Sequence, residues 1–154
     1  MPIHDILVAI DPAFGRHVQA DWLTAIARIT LESEAVGDCQ LSVVITDDAE
    51  IRALNSQYAA EDRPTDVLSF SQEEGEPFAA IPGETRRLGD VIISLETAER
   101  QAAEAGHDLD AEVAHLLTHG VLHLLAYDHA EPDQEREMRA RERAVLAKAG
   151  IEAH

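Results

Sequence analysis

Between residues 119 and 129 the chain reads HGVLHLLAYDH, and no other stretch narrows the possible fold as much. His119 and His123 stand four apart in a segment otherwise rich in leucine and alanine. On an α-helix that spacing sends both rings off one face, one turn apart, where they can converge on a single cation. At about 100° per residue, Val113, Leu117, Val121 and Leu124 fall on roughly the opposite side. Such a helix must lie with one face on a core and the other toward an opening. Two imidazoles bind a metal weakly, so a third ligand has to come from chain that turns back. The break near Ala126 and Tyr127 does this by returning His129, with Asp128 beside it.

The donor chemistry narrows the site further. Cys39 is the only cysteine, which excludes an internal disulfide and a thiolate cluster and leaves His, Asp and Glu as ligands. Three neutral imidazoles from His119, His123 and His129 would hold one divalent transition metal, zinc, nickel and others all suiting imidazole, with a fourth position left for water. Water in such a position can reach a pKa of about 7. The six-residue step from the second histidine to the third is also that of one branch of zinc peptidases, in which a glutamate follows the first histidine as general base. Here that position is Gly120. A peptidase or amidohydrolase therefore stays open as an alternative without its usual base, and the sequence assigns no general base. His115, one turn up on nearly the same face, either reaches substrate or a water near the metal, or is an ordinary surface histidine. Asp128 either orients an imidazole or simply forms the turn. His4, His17, His107 and His154 receive no role.

With 154 residues, 45% of them hydrophobic, the chain can close one core, so residues 1–154 are expected to form a single domain. No apolar run approaches the roughly 20 residues that cross a bilayer, and no basic stretch leads into an apolar block at the N-terminus. A soluble, cytoplasmic protein with no membrane partner is the expectation. The net charge of −18 argues against broad, nonspecific binding to nucleic acid. Between Glu131 and Lys148, however, five acids are balanced by Arg136, Arg139, Arg141, Arg143 and Lys148, which reads as a solvated helix face of mixed-sign pairs.

Periodicity supplies the remaining elements. Ile6–Ile10 reads as a buried strand, and His17 to about Glu32 as a helix burying Val18, Trp22, Ala25, Ile26 and Ile29. Leu41, Val43 and Ile45 alternate with polar residues in a second strand. Asp47 and Glu50 then resemble a capping box for a helix that buries Ile51, Leu54 and Tyr58. Val67–Phe70 and Val91–Leu95 are the third and fourth strands. Between them lie Gly75, Pro77, Pro82 and Gly83, a segment too broken for regular structure that is either a lid or a surface excursion. A helix after Thr97 should stop at Gly106, Asp108 or Asp110 can cap the histidine helix, and a last helix runs from Pro132 to Gly150. The order suggests a small mixed sheet covered by helices.

The segment 119–129 resembles the signature of the YbeY family of metal-dependent endoribonucleases. LNSQY followed by RPTDVLSF, from Leu54 to Phe70, and LGDVIIS, from Leu88 to Ser94, agree with it in order and spacing. The resemblance implies an α/β fold of the α+β kind, with a four-stranded mixed sheet, about five helices and a zincin-like metal-site helix. It also implies a zinc ion on His119, His123 and His129, and single-strand-specific cleavage in 16S rRNA maturation, ribosome quality control and late small-subunit assembly. The implied partners are rRNA, the small ribosomal subunit and ribosome-associated proteins. Two positions depart from the family pattern. Ala126 stands where members usually have glycine, and Ala59 where an arginine usually follows the tyrosine and is favoured for contacting RNA phosphate. Arg63, four residues on, either substitutes for that arginine or is an exposed residue before Pro64. With Ala59 in that place, a metal-stabilised ribosome-assembly binding factor with little nuclease activity is the alternative.

Overall fold

The computed structural model describes residues 2–59, 65–71, 86–125 and 131–151, with side chains through Gln57 in the first stretch. Four strands, β1 (His4–Ile10), β2 (Cys39–Thr46), β3 (Val67–Ser71) and β4 (Arg86–Ser94), form one sheet in the order β1-β2-β4-β3. β1, β2 and β4 run parallel, and β3 is antiparallel to β4. Five α-helices accompany them: α1 (Ala20–Ser33), α2 (Asp48–Ala59), α3 (Leu95–Ala105), α4 (Leu109–Leu124) and α5 (Pro132–Lys148). This is the α/β architecture expected from the sequence, a mixed four-stranded sheet packed with five helices.

One core joins Leu41, Val43 and Ile45 of β2 and Val91 and Ile93 of β4 to α1 and α4. In β2 these apolar residues alternate with Gln40 and Ser42, and the period of two turns them to the helix-covered face. β1 departs from expectation. It is an edge strand and only alternately covered, with Leu7 61% exposed, because α1 packs on one face of a run that is apolar on both.

α1 also differs, in phase. A short 3-10 turn at Pro12–Phe14, capped by the Asp11 carboxylate at the Ala13 N–H, delays its start to Ala20. Val18 is buried just before it, and the inward side of the helix carries Leu23, Ile26, Ala27, Thr30 and Leu31. Trp22 and Ile29 are half-buried and Ala25 is exposed. Leu23 and Leu31 outweigh the expected stripe, and Thr30 fits among them because its hydroxyl donates to the Ile26 carbonyl.

β4 starts well before Val91. Its register with β2 shifts between Gln40 and Leu41, leaving Leu88 as an extra residue beside Gly89. Gly89 has φ +141°, and a Cβ there would lie 2.1 Å from the Phe70 carbonyl oxygen, so the close pairing of β3 with β4 requires glycine. α3 begins at Leu95, not after Thr97, because Ser94 caps it by accepting the Thr97 N–H; Gly106 ends it at φ 72°. Half of the expected capping box of α2 forms. The Glu50 N–H donates to Asp47, while the Glu50 carboxylate takes the Thr46 hydroxyl instead. Asp108 precedes α4 without a side-chain capping bond, and the His107 ring lies 2.7 Å from the buried Glu112 carboxylate in its first turn. The segment between β3 and β4, with its lid reading, lies outside the described residues.

Asp48 fastens α2 to the β4–α3 junction. Its carboxylate accepts from Ser94 Oγ (2.5 Å), Thr97 Oγ1 (2.6 Å) and Arg100 (2.8 Å). Burial pushes its pKa up, but the bonds from Ser94, Thr97 and Arg100, with the Arg100 charge, outweigh this and hold it below the ordinary aspartate value. A depressed folded-state pKa contributes stability above the unfolded value that is lost as pH falls through the folded one. Melting temperature should therefore drop on acidification below about pH 4. In Asp48→Asn the melting temperature should be lower at pH 7 and the acid limb shallower. Parallel limbs in the two proteins would remove Asp48 from the acid response.

The outer face of α5 carries the expected mixed-sign pairs, Arg136 with Asp133, Arg139 with Glu135 and Arg141 with Glu137. No helix among the described residues is long and apolar enough to cross a membrane.

Candidate functional site

α4 is the element around which the site is built. Its sequence is rich in leucine and alanine, and acids in its first turn suit the helix dipole. It packs against α1, α3, α5, β3 and β4. Ala114, Leu116, Thr118 and Leu122 are therefore buried along with the expected Val113, Leu117, Val121 and Leu124. The apolar side is wider than a simple two-faced helix, and only a strip carrying the half-buried His115, His119 and His123 stays open.

Gly120 sets how close this helix comes to the sheet. A Cβ at that position would lie 2.6 Å from Val91 Cγ1, 3.2 Å from Ser69 Oγ and 3.3 Å from Val67 Cγ2. The Ser69 hydroxyl donates to the Gly120 carbonyl at 3.0 Å, pinning β3 to α4. The position that carries a general base in HExxH peptidases thus faces the sheet and has no room for a side chain.

The pair read from spacing comes together. The His119 and His123 rings lie edge to face with centroids 4.7 Å apart. Both line a cavity of about 430 Å³ along β3, together with Thr65, Asp66, Val67 and Ser69. His115 stacks on His119 at 6.3 Å and lines a smaller cavity of about 220 Å³ with Glu135, Met138, Arg139, Glu142 and His119, which borders both cavities. The structure therefore groups His115 with α5 and not with the larger cavity.

Glu142 was not singled out from the sequence. It is 4% exposed, and its Oε2 lies 3.2 Å from His119 Nδ1 and 4.0 Å from His115 Nε2. Burial pushes its pKa up, but the His119 bond and the His115, His119 and Arg139 charges together bring it below the ordinary glutamate value. An ionised carboxylate only accepts, so the Nδ1 atom that faces it carries the donated proton, and a lone pair for a metal can then stand only on Nε2. A signal existed: Glu142 interrupts the inward stripe Met138, Val145 and Leu146 of α5.

His129, Asp128 and Arg63 lie outside the described residues, as do Ala126 and Tyr127; α2 ends at Ala59, whose side chain is not described. The described part of the donor set fits a borderline transition metal. Two imidazoles one helical turn apart open on one cavity, and a buried carboxylate fixes the tautomer of the first.

Fold and site together define a class: an α/β protein whose sheet ends in a short antiparallel edge strand, with a paired-imidazole helix packed against it. A solution structure of a Thermotoga maritima protein shares the fold at TM-score 0.61 and 23% identity, covering 94% of this chain and 91% of that one. A family model described as Endoribonuclease YbeY matches residues 13–150. A relative named Endoribonuclease YbeY from Pelotomaculum thermopropionicum is 47% identical over 145 residues, 94% of this chain and 91% of the relative. One of the same name from Roseiflexus castenholzii is 42% identical over 146 residues, 94% of this chain and 92% of its own length. The chain belongs to the Endoribonuclease YbeY family.

Proposed function

We propose that the protein is a metal-dependent endoribonuclease acting on single-stranded or locally unpaired RNA. The observation that carries this reading is the His119–His123 pair opening on one polar cavity, with His119 held from behind by buried Glu142. In this reading His119, His123 and His129 hold one divalent transition metal, zinc by preference. When bound, that ion supplies Lewis acidity for phosphodiester hydrolysis. Glu142 keeps the Nδ1 proton in place so that Nε2 faces the cavity, and Gly120 lets α4 approach β3 closely enough for the strand to form one wall. The family membership extends the reading to 16S rRNA maturation, ribosome quality control and late small-subunit assembly, with rRNA and the small subunit as partners in the cytoplasm.

The test is to measure metal content and RNA cleavage on one purified sample, before and after chelation and zinc re-addition, for this chain and for Ala59→Arg. Chelation should abolish cleavage and zinc restore it, and Ala59→Arg should raise cleavage about 10-fold or more at constant metal if a phosphate-binding guanidinium is what this chain lacks. Cleavage that survives metal removal overturns the reading. The net charge of −18 and the presence of Ala59 favour a second reading, an assembly factor whose metal orders the end of α4. Metal loss would then lower melting temperature and small-subunit binding in a protein that never cleaved RNA. A peptidase has no base at Gly120, and a peptide digest with and without chelator separates it.

Glu142→Gln keeps the shape and removes the charge behind His119. Zinc affinity, read by competition with a coloured chelator, is expected to fall roughly 10- to 100-fold. Unchanged affinity would leave Glu142 a packing residue only.

A further inference from the structure

β3 is the last strand of the sheet, and the larger cavity runs along it. The Ser94 N–H donates to the Asp66 carbonyl at 3.0 Å, which fixes the phase of the ladder. Residues 66 and 94 form a hydrogen-bonded pair, so Leu68–Ile92 and Phe70–Asp90 are the bonded pairs that follow. Val67 and Ser69 must then turn their backbone N–H and C=O groups away from β4. The Val67 N–H already donates to Asp66 Oδ1 at 2.8 Å. Among the described residues, the groups the strand turns outward include the Ser69 N–H and the carbonyls of Val67 and Ser69, two residues and about 6.6 Å apart.

We infer that this outer edge of β3 is the rail on which the RNA strand lies, an inference that rests on the nuclease reading above. The Ser69 N–H donates to a phosphodiester oxygen, and the Val67 and Ser69 carbonyls accept from ribose 2′-hydroxyls. Three features favour such a rail. In a chain of charge −18 that carries Ala59, a backbone N–H receives an anion without adding a cation. Outward carbonyls reward a ligand that brings hydroxyl donors, which RNA does and DNA does not. A cavity of about 430 Å³ lined by β3 and α4 has room for one nucleotide of a strand laid along it.

Ser69→Pro removes the outward N–H and leaves the bonded pairs on either side untouched. Ser69→Ala removes only the hydroxyl bond to Gly120. With metal content checked in each, Ser69→Pro is expected to raise KM about 10-fold or more above that of Ser69→Ala, which has lost the same hydroxyl bond, with kcat within about two-fold between the two variants. Amide NMR of the full chain with a short phosphorothioate RNA should move the Ser69 signal, and DNA of the same sequence should move it much less. A KM equal to that of Ser69→Ala in a folded Ser69→Pro protein, or a Ser69 amide still under RNA, overturns the rail while leaving the nuclease reading standing. Equal shifts with DNA overturn the hydroxyl contacts, and a shift with an extended peptide alone overturns RNA as the occupant. If Ser69→Pro fails to fold, the amide titration decides. Absence of cleavage by the wild-type protein instead counts against the parent reading.

Discussion

A protein in which His119 and His123 are both alanine is expected to stay folded, to bind no stoichiometric zinc and to lose RNA cleavage by about 1,000-fold or more. Both rings sit on the open strip of α4, so their removal does not empty the core packed by Val113, Leu117 and Val121. Two of three proposed ligands would be gone, and a lone imidazole cannot retain the ion against solvent. One stability cost is specific. Without His119 the Glu142 carboxylate loses its 3.2 Å donor in a buried setting, which costs about 1–3 kcal/mol. His123→Ala alone leaves that contact in place, so it should lower metal affinity with a smaller change in melting temperature. Circular dichroism, metal analysis and cleavage on the same preparations check all three points. Full cleavage in the double variant, with its metal gone, would mean that the imidazole pair is not the reacting centre.

What the sequence disclosed and what it hid divide along physical lines. The β2 alternation and the four-residue histidine step are local patterns with a fixed period, and both appear where expected. The Ile6–Ile10 run reads as buried, but a continuous apolar stretch does not say whether one or both faces are covered, and β1 lies at the edge. Val18 and Ile26 are buried as the periodicity expects, but in α1 Trp22 and Ile29 compete with the neighbouring Leu23 and Leu31 for the inward face, and spacing alone does not say which pair wins. Glu142 was hidden for another reason. Beside Arg141 and Arg143 it looks like any acid in a solvated helix, and its partner, His119, is 23 residues away. Likewise, that β3 ends up at the rim follows from β4 pairing between it and β2, a long-range choice that periodicity does not encode. The third histidine, Asp128 and Arg63 fall outside the described residues, so the site is legible here only through its first two imidazoles and their support.

Gly120 offers the sharpest separation between a packing role and a missing catalytic group. If its only lack were a base, Gly120→Glu would restore an HExxH pattern and introduce peptide hydrolysis into an intact fold. The geometry predicts the reverse. Even Gly120→Ala places a Cβ 2.6 Å from Val91 Cγ1, an overpacking cost of about 1–3 kcal/mol that alanine's better helix propensity offsets by up to about 1. Its melting temperature should fall by roughly 2–8 °C. A glutamate would also drive a carboxylate between Val67 and Val91, costing several kcal/mol more, about enough to exhaust the stability of a domain this size. Thermal melts and soluble yield measure both effects. Gly37→Glu is the control, because a Cβ at Gly37 meets nothing within 4 Å. A folded Gly120→Glu protein with wild-type melting would show that α4 does not press on the sheet there. Ser69, Val67 and the imidazole pair would then no longer share one wall.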